Sequence, residues 1–163
     1  MEFVKSEPGA DPIIVEAYID ASPADVFRAW TDPNIVKRWF GPEPNTLVSA
    51  TIDLRVGGAW CFLEHQTGTH SSGFRGEYIV IEPERRLVFS WVKFTTRAIG
   101  ERASTQPSRV EISLSTNGTG TDLHLTHSGI IDNEMRHGFA RGWNVGIGGM
   151  LVALSNIGGS THR

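Results

Sequence analysis

A chain of 163 residues accommodates one domain of ordinary size and excludes two. Its 39% hydrophobic and 20% charged residues exclude a disordered or collagen-like chain. The formal net charge of -3, from 15 basic and 18 acidic residues, lacks the basic surplus typical of nucleic-acid-binding proteins, so no nucleic-acid partner is expected.

The N-terminal segment and the single cysteine bear on location. Residues 1–12 carry several charges and no apolar stretch of the kind found in signal peptides, and we expect them to be flexible. Cys61 has no second cysteine with which to form an internal disulfide. Residues 142–161 carry no charge, but their apolar part is shorter than the roughly 20 residues that a membrane span needs. A cytoplasmic protein without membrane insertion is therefore expected.

The first elements are a strand and two short helices. Residues 13–20 alternate apolar and polar side chains, which predicts a half-buried strand. Ser22 followed by Pro23 is typical of a helix start. Asp32 followed by proline repeats the signal and predicts a second helix that ends at Gly41.

Six further strands are predicted between residues 47 and 128, because turn residues separate apolar stretches without a helical period. They cover residues 47–54, 59–65, 73–81, 86–96, 108–115 and 121–128, and residues 97–107 are interpreted as a loop. The short turns indicate antiparallel neighbours.

A long helix is predicted over residues 132–156, capped by Asp132 or Asn133. At about 100° per residue, its large apolar side chains fall on one face. They are Met135, Phe139, Trp143, Ile147, Met150 and Leu154. We expect this face to be buried and residues 157–163 to form a flexible tail.

Four glycines follow one flank of that face, although each costs a helix roughly 0.8–1 kcal/mol relative to alanine. They are Gly138, Gly142, Gly146 and Gly149. Two interpretations stay open: close packing of the helix against the sheet, or space left for a ligand or a partner helix. A monomer or a weak homodimer is compatible with both.

These elements predict an α+β domain over residues 13–156. A curved seven-stranded antiparallel sheet wraps the long C-terminal helix, and the two short helices that follow strand 1 close one end. The apolar side of each strand faces the helix.

Several ordered motifs resemble the Aha-like family, which is named for the activator of a heat-shock chaperone's ATPase. They are ASPADVFRAWTDP (21–33), VKRWFGP (36–42), DLRVGG (53–58), GEY (76–78), EPERRLVFSW (82–91), LHLTH (123–127) and GW (142–143). The resemblance spans residues 13–156. It implies the START-like helix-grip fold of the SRPBCC superfamily, in which sheet and helix enclose an apolar cavity.

Aromatic side chains on the inward faces, with a few polar groups among them, are the candidate ligand-binding residues. They are Trp39, Phe40, Trp60, Phe62, Glu64, Tyr78, Phe89, Trp91, Leu125, His127, Phe139, Trp143 and Ile147. The alternative is that the rings simply fill the core.

Catalytic candidates are few. Glu64 and His127 are weak candidates for an acid and a base, because both lie in phase with apolar inward residues. His124 and His127 point to opposite faces of their strand and cannot bind a metal as a pair, so no metal site is expected. No cofactor motif is present in the sequence, and none is expected to bind.

The leading hypothesis is a protein that binds a small lipid-like or aromatic ligand between the long helix and the sheet. One alternative, implied by the resemblance, is a cochaperone that stimulates a heat-shock chaperone's ATPase. Another is a cyclase- or hydrolase-type enzyme that uses Glu64 and His127.

Overall fold

The computed structural model describes residues 2–97 and 102–161 of the chain. Its elements, in chain order, are β1 (Ile13–Ile19), α1 (Pro23–Thr31), α2 (Pro33–Trp39), β2 (Ser49–Ile52), β3 (Ala59–Gln66), β4 (His70–Glu82), β5 (Arg86–Arg97), β6 (Arg102–Ser104), β7 (Ser108–Asn117), β8 (Gly120–Ser128) and α3 (Asn133–Thr161).

The strands form one antiparallel sheet in the order β1-β8-β7-β5-β4-β3-β2. The predicted α+β helix-grip architecture is confirmed: an open sheet, two short helices after the first strand, and a long C-terminal helix. A short strand, β6, lies in the segment that the sequence predicts to be a loop. β6 pairs with residues 94–96 of β5. β7 pairs with an earlier part of the same strand, residues 86–91. Three residues are too few to show an alternating pattern in the sequence.

The two short helices begin where the sequence predicts. The Ser22 hydroxyl accepts a hydrogen bond from the Asp25 backbone N–H at 3.2 Å, and Asp32 accepts one from Asn34 at 2.9 Å. These side chains satisfy backbone donors that the helices leave unpaired. The Trp39 indole N–H on α2 donates to the Ala29 carbonyl on α1 at 2.8 Å, which fixes the two helices against each other.

Helix α3 buries the face that its periodicity predicts. The Asp132 carboxylate accepts from the Met135 backbone N–H at 3.1 Å and caps the helix. Phe139, Trp143, Ile147 and Met150 are buried. Because this face turns toward the sheet, it positions aromatic side chains above the concave side.

The glycines of α3 divide into two groups. A Cβ atom on Gly149 would stand 3.1 Å from the Trp39 carbonyl oxygen, and one on Gly146 would stand 3.6 Å from the Trp39 ring. This pair therefore allows close packing, but against α2 rather than against the sheet. A Cβ atom on Gly142 would meet nothing within 4 Å, and Gly138 faces only the Arg141 side chain at 3.8 Å. The glycines nearer the start of the helix therefore leave space.

Both chain ends continue the structure beyond residues 13–156, the predicted bounds of the domain. The backbone N–H groups of Phe3 and Val4 donate to the Asn144 side-chain oxygen on α3 at 2.6 and 3.0 Å, and the Phe3 ring is buried. Arg136 donates to the Gly9 carbonyl at 2.7 Å. These contacts join residues more than 120 positions apart, so local sequence patterns do not reveal them. At the other end, α3 continues past residue 156 to Thr161, and residues 162 and 163 lie outside the described part of the chain.

Among the described residues, no helix combines the length and apolar character needed to cross a membrane.

We expect Gly142→Ala to raise the free energy of unfolding by up to about 1 kcal/mol, because alanine favours a helix over glycine by about that amount and the new methyl group enters open space. Gly149→Ala should gain less or lose stability, because its methyl group crowds the Trp39 carbonyl. Urea denaturation followed by circular dichroism measures both changes. Equal gains from the two variants would contradict the close packing of α3 on α2.

Candidate functional site

A cavity of about 380 Å³ lies between the first half of α3, strands β3 to β5 and the end of α2. Its wall is mainly apolar, with six aromatic and three ionisable side chains. The lining residues are Trp39, Phe40, Gly41, Pro42, Glu64, Phe74, Trp91, Lys93, Met135, Gly138, Phe139, Arg141, Gly142, Trp143, Val145 and Gly146.

Trp91 on β5 is the central ring of the cavity wall. Its ring centroid lies 4.6 Å from that of Phe74, 5.2 Å from that of Trp143 and 5.9 Å from that of Phe139. The side chain is only 4% exposed. Tilted and edge-to-face pairs at these separations are favourable contacts. The wall is therefore held in place by its own packing.

On the side of Trp91 that faces Trp60 and Phe89, aromatic rings fill the interior. A hollow of only about 10 Å³ remains among Trp30, Phe40, Trp60, Phe62, Tyr78, Phe89 and Trp91. That is about the least space that one water molecule needs. The indole nitrogens of its three tryptophans, Trp30, Trp60 and Trp91, have no hydrogen-bond partner among the described residues. This cluster is therefore held by ring contact, not by polar bonds.

The structure brings some of the predicted site residues to the cavity and leaves others in the core. Those that line it are Trp39, Phe40, Glu64, Trp91, Phe139 and Trp143. Those in the filled ring cluster are Trp60, Phe62, Tyr78 and Phe89. Leu125, His127 and Ile147 are fully buried and do not line the cavity. For these residues, the open alternative that rings and apolar groups fill the core describes the structure.

Ten of the lining residues are absent from the list of candidates, among them the aromatic Phe74 and the two cations, Lys93 and Arg141. Phe74 is in phase with Tyr78 along β4, and Lys93 is in phase with Trp91 along β5, so strand parity could have found both. Arg141 lies one turn after Gly138 on α3. Charged side chains are usually expected on the exposed surface, so Lys93 and Arg141 were not among the predicted lining residues.

A β-bulge directs Glu64 toward the cavity. Leu63 pairs with Gly73 and His65 pairs with Ser72, so Glu64 has no opposite residue on β4. A Cβ atom on Gly73 would stand 2.2 Å from the Phe62 carbonyl oxygen, so only glycine fits opposite the bulge. Bulges commonly re-aim a side chain in this way. Partial burial raises the pKa of the Glu64 carboxyl, and the nearby Lys93 opposes that rise.

His127 is a buried structural group that joins α3 to the sheet. The Trp143 indole N–H donates to His127 Nδ1 at 3.1 Å, so the ring proton is on Nε2, which lies 2.8 Å from the Ser108 hydroxyl. Ser108 in turn donates to the Trp91 carbonyl at 3.3 Å. Burial lowers the pKa of His127 from its ordinary 6.5 to about 3.

The acid–base pair considered from the sequence is not assembled at the cavity. Glu64 lines it, but both ring nitrogens of His127 are engaged in hydrogen bonds. Phe139, which does line the cavity, stacks on the His127 ring with centroids 5.3 Å apart. A neutral, fully bonded imidazole lacks the free nitrogen that a general base needs.

Among the described residues, no group of three or more His, Cys, Asp and Glu side chains could hold a metal ion.

Cys61 lies on β3 opposite Arg75, and burial raises the pKa of its thiol. A thiol with a raised pKa is a poor nucleophile at neutral pH.

Comparison with known proteins places the fold. The family model described as "Activator of Hsp90 ATPase homolog 1-like protein" matches residues 20–154. No curated protein matches the chain.

Solved structures resemble the chain over most of its length. An uncharacterised protein from Rhizobium leguminosarum is 22% identical, with a TM-score of 0.71 over 89% of this chain and 94% of that one. Protein NE0264 from Nitrosomonas europaea is 18% identical, with a TM-score of 0.72 over 94% and 99%. CalU16 from Micromonospora echinospora is 29% identical, with a TM-score of 0.62 over 93% and 82%. The first two likenesses show the fold alone.

The buried state of His127 predicts a pH dependence of stability. Below about pH 6.5 the unfolded chain binds a proton at this residue, whereas the folded protein excludes it until about pH 3. Stability should therefore fall as the pH is lowered through this window, by at most about 1.4 kcal/mol per pH unit from this group.

His127→Asn removes the titration and keeps an oxygen that can accept from Trp143. The difference between its urea unfolding curves and those of the parent protein isolates the His127 contribution. If the variant is too unstable to measure, NMR of the parent imidazole replaces it. A ring that titrates near pH 6.5 in the folded protein would contradict the buried, neutral assignment.

Proposed function

The chain belongs to the Activator of Hsp90 ATPase homolog 1-like family, and we propose that it binds one small apolar ligand in the cavity between α3 and β5. The observation that carries this proposal is the cavity itself. Its volume of about 380 Å³ falls within the range of known ligand sites, roughly 300–1,000 Å³. An apolar cavity of about 150 Å³ already holds benzene, so this one has room for two or three fused rings or an alkyl chain of similar bulk.

The wall supports binding because it is already formed. The Trp143 indole is linked through His127 and Ser108 to the backbone carbonyl of Trp91, and the two rings pack on each other. A ligand that enters a preformed site loses less free energy to the ordering of side chains.

Gly142 gives independent support. A helical glycine costs roughly 0.8–1 kcal/mol relative to alanine. No atom stands within 4 Å of the position where its Cβ would be, so close packing does not explain it. The lost helical stability is consistent with a requirement for open space beside α3.

A cochaperone role is the second candidate, because the description of the family names the ATPase of Hsp90. The measurement that decides it is the ATPase rate of the Hsp90 of the source cell with and without this protein. An unchanged rate at saturating protein would remove this candidate and leave the binding proposal standing.

The neutral fluorescent probe N-phenyl-1-naphthylamine, which brightens in apolar sites, tests the binding proposal. We expect saturable binding of one probe per chain. Gly142→Leu should weaken that binding at least about tenfold, because its side chain occupies the cavity.

Gly68→Leu is the matched control. Gly68 lies between β3 and β4, outside the cavity lining, and also has nothing within 4 Å of its Cβ position. It should bind the probe like the parent protein. Circular dichroism verifies that both variants are folded. Absence of saturable binding to the parent protein, or equal binding by folded Gly142→Leu, would overturn the proposal.

A further inference from the structure

We propose that the ligand of this cavity is an amphipathic acid, with an apolar body against the aromatic wall and a carboxylate held by Arg141 at the rim. The inference rests on the proposed binding function and specifies its ligand class. It derives from the placement of three charges around an otherwise apolar space.

The charges of the ionisable lining residues do not cancel. Glu64 contributes one negative charge, whereas Lys93 and Arg141 contribute two positive charges. The protein as a whole is negative, with a net charge of -3, so the local excess of cations runs against the overall charge. Low-dielectric walls strengthen the field of charges beside them. The cavity therefore favours a ligand that supplies one negative charge.

Lys93 is the cation whose charge Glu64 offsets. It follows Trp91 by two residues on β5 and points to the same face, and it interacts electrostatically with the Glu64 carboxylate. The two groups are not within 4 Å of each other, so each keeps some capacity for another partner.

Arg141 is left without a counter-ion. Among the residues that the structure describes, no carboxylate lies within 4 Å of its guanidinium, and the group donates no hydrogen bond. Its Nη2 atom lies 3.8 Å from the position of a Cβ atom on Gly138, so the side chain runs back along α3 over the cavity. The other arginine on this part of the helix, Arg136, makes hydrogen bonds to Gly9, Ile130 and Ile131.

A carboxylate matches this arrangement chemically. The planar guanidinium offers parallel N–H donors to two carboxylate oxygens. Because Arg141 is exposed, the acid group would stay partly in water while the apolar body enters the cavity, which avoids the cost of burying a charge. A cationic ligand would meet two like charges instead.

Three probes that share one ring system separate the electrostatic contribution from the apolar one. At pH 7.5 and low salt we expect 2-naphthoate to bind about threefold to tenfold more tightly than 2-naphthylmethanol, and 2-naphthylmethylamine to bind most weakly. Added salt should narrow the difference between acid and alcohol. Tryptophan fluorescence titration or calorimetry measures all three.

Charge variants make the test specific. Arg141→Gln should lower the affinity for 2-naphthoate about threefold to tenfold and leave the affinity for 2-naphthylmethanol unchanged. Arg141→Lys should have an intermediate affinity for 2-naphthoate. Glu64→Gln should raise the affinity for 2-naphthoate, because it removes the one negative charge of the lining. Opposite effects of two neutralising substitutions would not arise from general damage to the fold. Arg85→Gln, in the exposed turn between β4 and β5, is the control. It changes the net charge by the same amount as Arg141→Gln and should leave the affinities for 2-naphthoate and 2-naphthylmethanol unchanged.

The outcomes distinguish the two levels of the proposal. Equal affinity for the acid and the alcohol, or an unchanged affinity of Arg141→Gln for 2-naphthoate, overturns the inference and leaves apolar binding intact. Failure of all three probes and of N-phenyl-1-naphthylamine overturns the binding function itself.

Discussion

The hydrogen bond from the Trp143 indole to His127 is the constraint on which the interior of this domain depends. It joins α3 to β8, and Ser108 extends the chain of bonds through β7 to the backbone of Trp91 on β5. A long helix that crosses a curved sheet could slide or rotate on apolar contacts alone, because such contacts are not directional. A buried polar chain with every nitrogen of the imidazole engaged allows one arrangement. It therefore fixes how far α3 stands from the strands.

That spacing divides the interior into a filled part and a hollow part. On one side of Trp91, the rings of Trp60, Phe62 and Phe89 close the space to about 10 Å³. On the other side, α3 presents Gly142 and Gly138 where bulkier residues would fill the gap, and about 380 Å³ stays open. Further along the helix, Gly149 and Gly146 bring α3 close to Trp39. The same residue type thus produces a close contact at one end of the helix and a cavity at the other.

Local signals were enough to predict the elements of the fold apart from the short strand β6. Ser22 and Asp32 cap the short helices as their spacing with the following prolines indicates, and the apolar period of α3 identifies its buried face. Strand parity also placed Trp60 and Trp91 on the inward side. These features depend on neighbours within a few residues, which a single sequence displays.

The boundary between core and cavity could not be predicted in the same way. Parity shows that Trp60 and Trp91 face inward, but not that the first is surrounded by rings and the second borders open space. The role of His127 depends on Trp143 and Ser108, which lie 16 and 19 residues away. Strand parity predicted that His127 points inward, but it did not identify these partners. The β-bulge that directs Glu64 toward the cavity depends on Gly73 of the next strand. The period-two pattern of the sequence does not predict this bulge.

The five tryptophans provide the most direct measurement of this division, because each gives its own indole N–H resonance. On saturation with N-phenyl-1-naphthylamine, we expect large shifts for Trp39, Trp91 and Trp143, which line the cavity. Trp30 and Trp60, inside the filled cluster, should shift much less. Equal shifts for all five at saturation, or the largest shifts at Trp30 and Trp60, would contradict the account of a filled core beside a separate binding cavity.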